Sequence, residues 1–228
     1  MKAQKNYLLF AVIGAVICFI GDNLLGNFYP AEGFGNAVIF PAFSYDWANA
    51  DSIRFLLGGA LGVIALLMMY LGYYSIYMLI RDVHDKFAKI FIVGAFIFTA
   101  VGTLYHCVFA ITAFLYNELK VADITNAELF CEKVFNSFIF IAFPAAAGFG
   151  IVVIILFIIT VKKMINNSYW LVVVNPLIIM LVCILLSKLL PRCAMVNGVF
   201  GWGQQSIALF FTFLVYYINY NNLLPNRT

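Results

Sequence analysis

The sequence predicts an all-α protein that crosses a membrane several times. Of its 228 residues, 65% are hydrophobic and only 10% are charged, against about 25% charged residues in a typical soluble domain. Several apolar stretches reach the roughly 20 residues that a helix needs to cross a hydrocarbon core of about 30 Å. Continuous runs favour helices over the short alternating strands of a membrane barrel. We therefore predict a single domain, a polytopic bundle of transmembrane helices over residues 1–228.

Six membrane spans are predicted in chain order. The first apolar run follows Lys2 and Lys5, as in a signal peptide, but it is long for one and no small-residue cleavage site follows it. We interpret it as a retained helix. Pro144 interrupts the fourth run and predicts a bend there. The predicted spans are 7–26, 53–80, 90–117, 134–161, 170–190 and 206–220.

The loop at residues 27–52 separates the first two spans and is long for a compact domain. It is rich in Gly, Pro and aromatic residues, which favour the depth of the lipid headgroups. A disordered linker fits this hydrophobicity poorly. We predict that the loop caps the bundle at the membrane interface.

The basic residues predict the orientation. Eight fall on the side of the termini, while five share the other side with most of the loop acids. The positive-inside rule then places both termini in the cytoplasm, and the compact chain suggests a bacterial inner membrane. The first group is Lys2, Lys5, Arg81, Lys86, Lys89, Lys162, Lys163 and Arg227, and the second is Arg54, Lys120, Lys133, Lys188 and Arg192.

The basic residues are scattered in short loops and form no stripe, which argues against a nucleic-acid partner. The partners expected from the composition are membrane lipids. The sequence does not specify an oligomeric state.

The stretch Gly21–Gly26 places a carboxylate, Asp22, about one turn inside the outer end of the first span. A buried unpaired charge is costly in lipid. Arg54 opens the second span at the same level, and we predict that it pairs with Asp22. Such a pair would line an outward pocket, or it would be an ordinary salt bridge or a snorkelling arginine at the membrane edge.

His106 is predicted to be the deepest ionisable residue. It belongs to a small and polar stripe at helical spacing, which we expect to face the bundle. A neutral imidazole there could shuttle a proton or hold a ligand hydroxyl, or it could simply hydrogen-bond to a neighbouring helix. The stripe is Thr99, Thr103, His106, Ala110 and Asn117.

The turn that enters the last span contains Gly201, Trp202 and Gly203, followed by Gln204 and Gln205. It could form a lid over a ligand, or it could be an interfacial turn anchored by the indole.

No metal or cofactor is predicted. A zinc site in the membrane needs three ligands at one depth, and the spans contain a single histidine. The five cysteines form no CxxC pair, although Cys131 and Cys193 fall in outer loops where a disulfide could form. No Gly-x-Ser-x-Gly elbow indicates a serine hydrolase.

Three functions remain open from the sequence. The first is a site for an amphiphile such as a lipid, with Asp22 or His106 as an acid or base. The second is a small proton-coupled transporter that uses the same two residues. The third is a structural or accessory subunit in which the polar residues only fix helix register. The predicted ligand-binding residues are Asp22, Arg54, His106, Asn117, Gln204 and Gln205.

Overall fold

The computed structural model describes residues 2–28, 47, 49–165 and 170–223. These residues are predominantly helical and contain no strand. A three-residue 3₁₀ turn, Ile139–Ile141, joins α4 to α5, and a π-helical segment, Asn197–Trp202, precedes α7. The main helices are α1 (Lys2–Gly26), α2 (Ile53–Arg81), α3 (Asp85–Val121), α4 (Ala127–Phe138), α5 (Ala142–Val161), α6 (Pro176–Leu189) and α7 (Gln204–Leu223).

The prediction of an all-helical protein is confirmed for the described residues. In that part of the chain α1, α2, α3 and the joined α4 and α5 are each long and apolar enough to cross a membrane. A fifth crossing is formed if Ala194–Trp202 and α7, which meet at a bend of 54°, count as one span.

The predicted span 170–190 is not one continuous helix. A single helical turn, Trp170–Val173, ends before Asn175, and α6 starts at Pro176. The side chain of Asn175 accepts a hydrogen bond from the backbone N–H of Leu177, which caps α6. Proline is well placed at the first position of a helix because its missing N–H has no partner there. The Asn-Pro pair therefore starts a new helix of 14 residues.

Regular α-helical bonding is interrupted one turn before Pro144, and the predicted bend at this proline stays a prediction. Pro144 lies in the first turn of α5, and the 3₁₀ turn Ile139–Ile141 comes directly before that helix. A proline cannot donate to the carbonyl four residues back, here that of Phe140, so regular α-helical bonding is interrupted at this point.

Small residues allow α1 and α2 to pack at close range. A Cβ atom added to Gly21 would lie 2.9 Å from the carbonyl oxygen of Gly58, and one added to Gly72 would lie 2.3 Å from Cβ of Ala11. Glycine at these positions lets the two backbones approach, as is common in membrane helices. Gly58 on α2 likewise packs on α1, because a Cβ atom there would lie 2.8 Å from Cγ of Leu25.

An aromatic cluster lies where α1 ends and α2 begins. It contains Phe28, Trp47, Phe55, Phe109 and Trp202, with the Phe109 and Trp202 rings 4.9 Å apart. Next to this cluster, the side-chain amide of Asn197 donates to the carbonyl oxygens of Gly26 and Phe28 at 2.9 and 3.1 Å. It thereby fastens the segment before α7 to the end of α1.

Most of the predicted capping loop, residues 29–46 and 48, lies outside the described residues, and its interfacial position stays a prediction. Cys131 and Cys193 are both free thiols, so the possible disulfide between them does not form.

Gly148 provides a test of close packing between α5 and α3. A Cβ atom there would lie 2.6 Å from the backbone nitrogen of Phe98 and 2.7 Å from the carbonyl oxygen of Gly94. Neither backbone can move aside cheaply, so Gly148→Ala should lower the free energy of unfolding by about 1–3 kcal/mol, measured by thermal or denaturant unfolding in detergent.

Gly150→Ala is the matched control, because no atom lies within 4 Å of a Cβ atom at Gly150, on the same helix. This substitution should be neutral or stabilising by up to about 1 kcal/mol. Equal destabilisation by both substitutions would contradict the packing described here.

Candidate functional site

A buried polar group forms around Asp22, one turn before the end of α1. The hydroxyl of Ser206, at the start of α7, donates a short hydrogen bond to Oδ2 of Asp22. The thiol of Cys18 lies 3.8 Å from the same oxygen. Nε2 of His106, on α3, lies 3.9 Å from Oδ1. Three helices therefore contribute side chains to one carboxylate.

His106 reaches Asp22 by passing over α2 at a glycine. A Cβ atom at Gly62 would lie 2.5 Å from Nδ1 of the imidazole, so a larger residue there would displace the ring. The close approach of Gly62 leaves the other ring nitrogen, Nε2, free to face α1.

The depth of His106 differs from the expectation. The sequence made it the deepest ionisable group, but it lies level with Asp22, four residues or about 6 Å from the end of α1. The reason is that α3 has 37 residues, about 55 Å, and extends past the end of α1. A residue in the middle of α3 therefore lies near the end of the shorter helix.

A cavity of about 380 Å³ lies beside this polar group. Its polar lining is contributed by Asp22, His106 and the residues that open α7. From His106 the cavity extends two turns along α3 to Phe98, and most of its lining there is apolar. The lining residues are Cys18, Asp22, Leu25, Leu66, Met69, Phe98, Gly102, Tyr105, His106, Phe109, Ala142, Ala145, Ala146, Phe149, Met180, Trp202, Gln204, Gln205, Ser206 and Leu209.

Alanines on α5 form one wall of the cavity. Ala142, Ala145 and Ala146 line it, and Ala146 is also exposed on the surface of the protein. The next helix, α6, packs on α7 and on the π-helical segment and makes few contacts with α5. The cavity wall therefore has a seam, a narrow gap between α5 and α6. Ala146 lies on the α5 edge of this seam and Met180 on the α6 edge.

The predicted Asp22–Arg54 pair does not form. Nε of Arg54 donates to the carbonyl oxygen of Leu24 at 2.8 Å, and its guanidinium lies 4.3 Å from the centre of the Phe28 ring. The last carbonyls of a helix have no partner within it and attract a cation. Arg54 thus binds the end of α1, whereas the carboxylate of Asp22 faces α3 and α7.

Asn117 lies outside the cavity. Its amide donates to the carbonyl oxygens of Trp47 and Ala50 at 2.7 and 2.8 Å. It fastens the segment before α2 to α3, which is a structural role.

Gln204 and Gln205, in the turn before α7, both line the cavity, and their part in binding a ligand stays a prediction. Two buried atoms of the lining residues have no hydrogen-bond partner among the described residues, Oε1 of Gln204 and Nδ1 of His106. Trp202 lines the cavity and also packs in the aromatic cluster. Whether the turn is a ligand lid or an interfacial turn stays a prediction.

Two members of the site were not anticipated from the sequence. Cys18 and Asp22 are four residues apart and therefore lie on one face of α1. This spacing is the sequence feature that indicates Cys18 as a neighbour of the carboxylate. Ser206 directly follows the two glutamines and gave no separate signal.

The cavity-lining face of α3 lies beside the predicted polar stripe. Thr99 and Thr103 donate to carbonyl oxygens of their own helix, those of Ala95 and Thr99, at 2.8 and 2.7 Å. The residues that line the cavity are Phe98, Gly102, Tyr105, His106 and Phe109. His106 is thus the only residue of the predicted stripe that lines the cavity.

Long apolar helices around a buried polar group define a helical protein of the membrane type. Residues 1–222 match a family described as a family of unknown function (DUF6796), and the chain belongs to that family. No curated protein and no solved structure matches the chain.

Ser206→Ala tests whether α7 is tied to the carboxylate of Asp22. The substitution removes the only described hydroxyl donor to Asp22 and leaves a buried acceptor underpaired, which costs about 1–3 kcal/mol. We expect a loss of this size in the free energy of unfolding.

Ser137→Ala is the control, because Ser137 is exposed and donates only to the Lys133 carbonyl of its own helix. It should change stability by less than about 0.5 kcal/mol. An equally small effect of Ser206→Ala would contradict the tie.

Proposed function

We propose that this chain is a multi-pass membrane protein that binds an amphiphile, a molecule with a polar head and an apolar chain, in the cavity beside Asp22. The observation that carries the proposal is the composition of the cavity wall. Asp22, His106 and Gln204 lie together on the wall, and an apolar channel leads away from them.

The polar part of the wall favours a ligand that can form hydrogen bonds. Oε1 of Gln204 is buried without a partner among the described residues, and a buried polar atom without a partner costs about 1–3 kcal/mol. A hydroxyl, amine or similar head group beside Gln204 would supply a donor. Specific ligand sites commonly have this form, a few polar groups in a largely apolar cleft.

The apolar part favours a hydrocarbon chain. Phe98, Phe149, Met69 and Leu209 line the cavity beyond the polar group. A volume of about 380 Å³ lies within the range of roughly 300–1,000 Å³ usual for small-molecule pockets. The seam beside Ala146 offers a lateral route from the lipid phase, which an amphiphile could take without crossing water.

The proposed topology has six crossings with both termini in the cytoplasm, in a bacterial inner membrane. The crossings are α1, α2, α3, the joined α4 and α5, the broken segment ending in α6, and α7. The charge bias supports this orientation, and it places the Asp22 end of the cavity on the outer side. Membrane lipids are the proposed partners, and nucleic acid is not.

Binding alone is sufficient for this proposal. If the ligand is also transformed, Asp22 and His106 are the residues placed to act as acid or base, because they are the ionisable groups beside the cavity that face each other.

The two other functions have less support. A proton-coupled transporter needs a polar path beyond the cavity, but Asn175 is buried, donates to the Val153 carbonyl at 3.3 Å and caps α6. In a purely structural cluster, Asp22, Arg54 and His106 would pair with one another and no cavity would lie beside them. Arg54 instead binds the end of α1, and a cavity lies beside the other two.

Ala145→Leu tests whether an amphiphile binds in the cavity. The larger side chain enters the cavity, and we expect it to reduce binding of a long-chain alcohol or a lysophospholipid at least tenfold, measured by native mass spectrometry of the protein in detergent. Ala147→Leu is the control, since Ala147 is exposed on the same helix and does not line the cavity. Equal binding by both variants and the wild type would overturn the proposal.

Cysteine labelling tests the proposed topology. In a cysteine-free background, Lys120→Cys and Lys188→Cys should react with a membrane-impermeant maleimide added to intact cells. Lys162→Cys and Asn222→Cys should react only after permeabilisation. All four residues are exposed. Reaction of Asn222→Cys in intact cells would contradict a cytoplasmic C-terminus and favour an odd number of crossings.

A further inference from the structure

We propose that Cys18, Asp22 and His106 form a binding site for a zinc ion. The three side chains each offer one ligand atom, and these atoms all lie within 4.8 Å of one another. The sequence argued against a metal because the spans contain one histidine. The structure adds a thiol and a carboxylate from α1 to that histidine, which makes three ligands at one depth.

The separations suit an ion between the groups. Nε2 of His106 and Oδ1 of Asp22 are 3.9 Å apart, and the Cys18 sulfur lies 3.8 Å from Oδ2. The nitrogen–oxygen distance is too long for a direct hydrogen bond. Around tetrahedral zinc, bonds of about 2.0–2.3 Å put the ligand atoms roughly 3.4–3.6 Å apart. Since no two ligand atoms are more than 4.8 Å apart, they need to close by about 1.4 Å at most to reach that geometry.

The charges also suit zinc. Among the described residues, no lysine or arginine pairs with Asp22, and His106 is its one basic neighbour. Zinc binding releases the proton of the Cys18 thiol to solvent, so a thiolate and a carboxylate together balance the +2 charge of the ion. A neutral site is the form least penalised in lipid. A set of sulfur, nitrogen and oxygen ligands is one that zinc accepts.

The surrounding groups complete the site. Ser206 donates to Asp22 and orients the carboxylate, as ligating carboxylates usually require. Cys18, Asp22 and His106 all line the cavity, so the open fourth position of a three-ligand site would border it. Three protein ligands and an open position are the arrangement of catalytic zinc sites. Nδ1 of His106 has no acceptor among the described residues, so the affinity should be lower by about 10–100-fold than that of a zinc site with a full set of such partners.

The test uses the full chain, free of any purification tag, stripped with a chelator and then titrated with Zn²⁺ against a chromophoric chelator. We expect one zinc per chain. Cys18→Ser and His106→Gln should each lower the affinity at least about 100-fold, and Ser206→Ala about tenfold. Cys107→Ser and Cys183→Ser are the controls, because neither cysteine belongs to the group, and both should bind as the wild type does.

Co²⁺ in place of zinc reports the ligands directly. The wild type should show the visible bands of tetrahedral cobalt and a sulfur-to-metal charge-transfer band, and Cys18→Ser should lose that charge-transfer band. A stoichiometry near zero, or zinc affinity unchanged in Cys18→Ser and His106→Gln, would overturn the proposal. Binding of a long-chain alcohol measured with the chelator present is independent of this result, so a failed zinc site leaves the proposed amphiphile site standing.

Discussion

The arrangement of this end of the molecule depends on the buried carboxylate of Asp22. A carboxylate is costly to bury in lipid unless other groups satisfy it, and here Ser206 from α7 and His106 from α3 converge on it. Their approach is possible because α1 and α2 pack at glycine. Gly21 brings the two helices together, and Gly62 leaves room for the imidazole to cross α2. The polar site therefore depends on the close packing of these helices.

The cavity follows from the same small residues. On α5 the alanines that precede Phe149 occupy little volume, and on α3 Gly102 adds no side chain. Because α6 is short and packs on α7, it does not close the wall beside α5. A cavity thus remains beside the polar group, open along the seam between α5 and α6. Arg54, bound to the end of α1, stabilises the helix end without entering that space.

The sequence was sufficient for the features that depend on one helix. Apolar run length predicted the four long helices, and the cost of burial singled out Asp22 and His106, whose side chains face each other beside the cavity. Features that depend on how helices rotate against each other were not predictable. Arg54 was predicted to pair with Asp22 only because both residues were expected at the same level in the membrane. The stripe through Thr99 was one residue off the cavity-lining face, a rotation of about 100° on a helix. The break at Asn175 was visible as an Asn-Pro pair, but apolar run length outweighed it.

The most direct test is a cryo-EM structure of the protein in a lipid nanodisc. The account predicts elongated density in the cavity between α3 and α5, with one end beside Asp22, His106 and Gln204 and the other directed toward Phe98. A cavity that is collapsed or empty, with Asp22 and His106 directly hydrogen-bonded to each other, would contradict it.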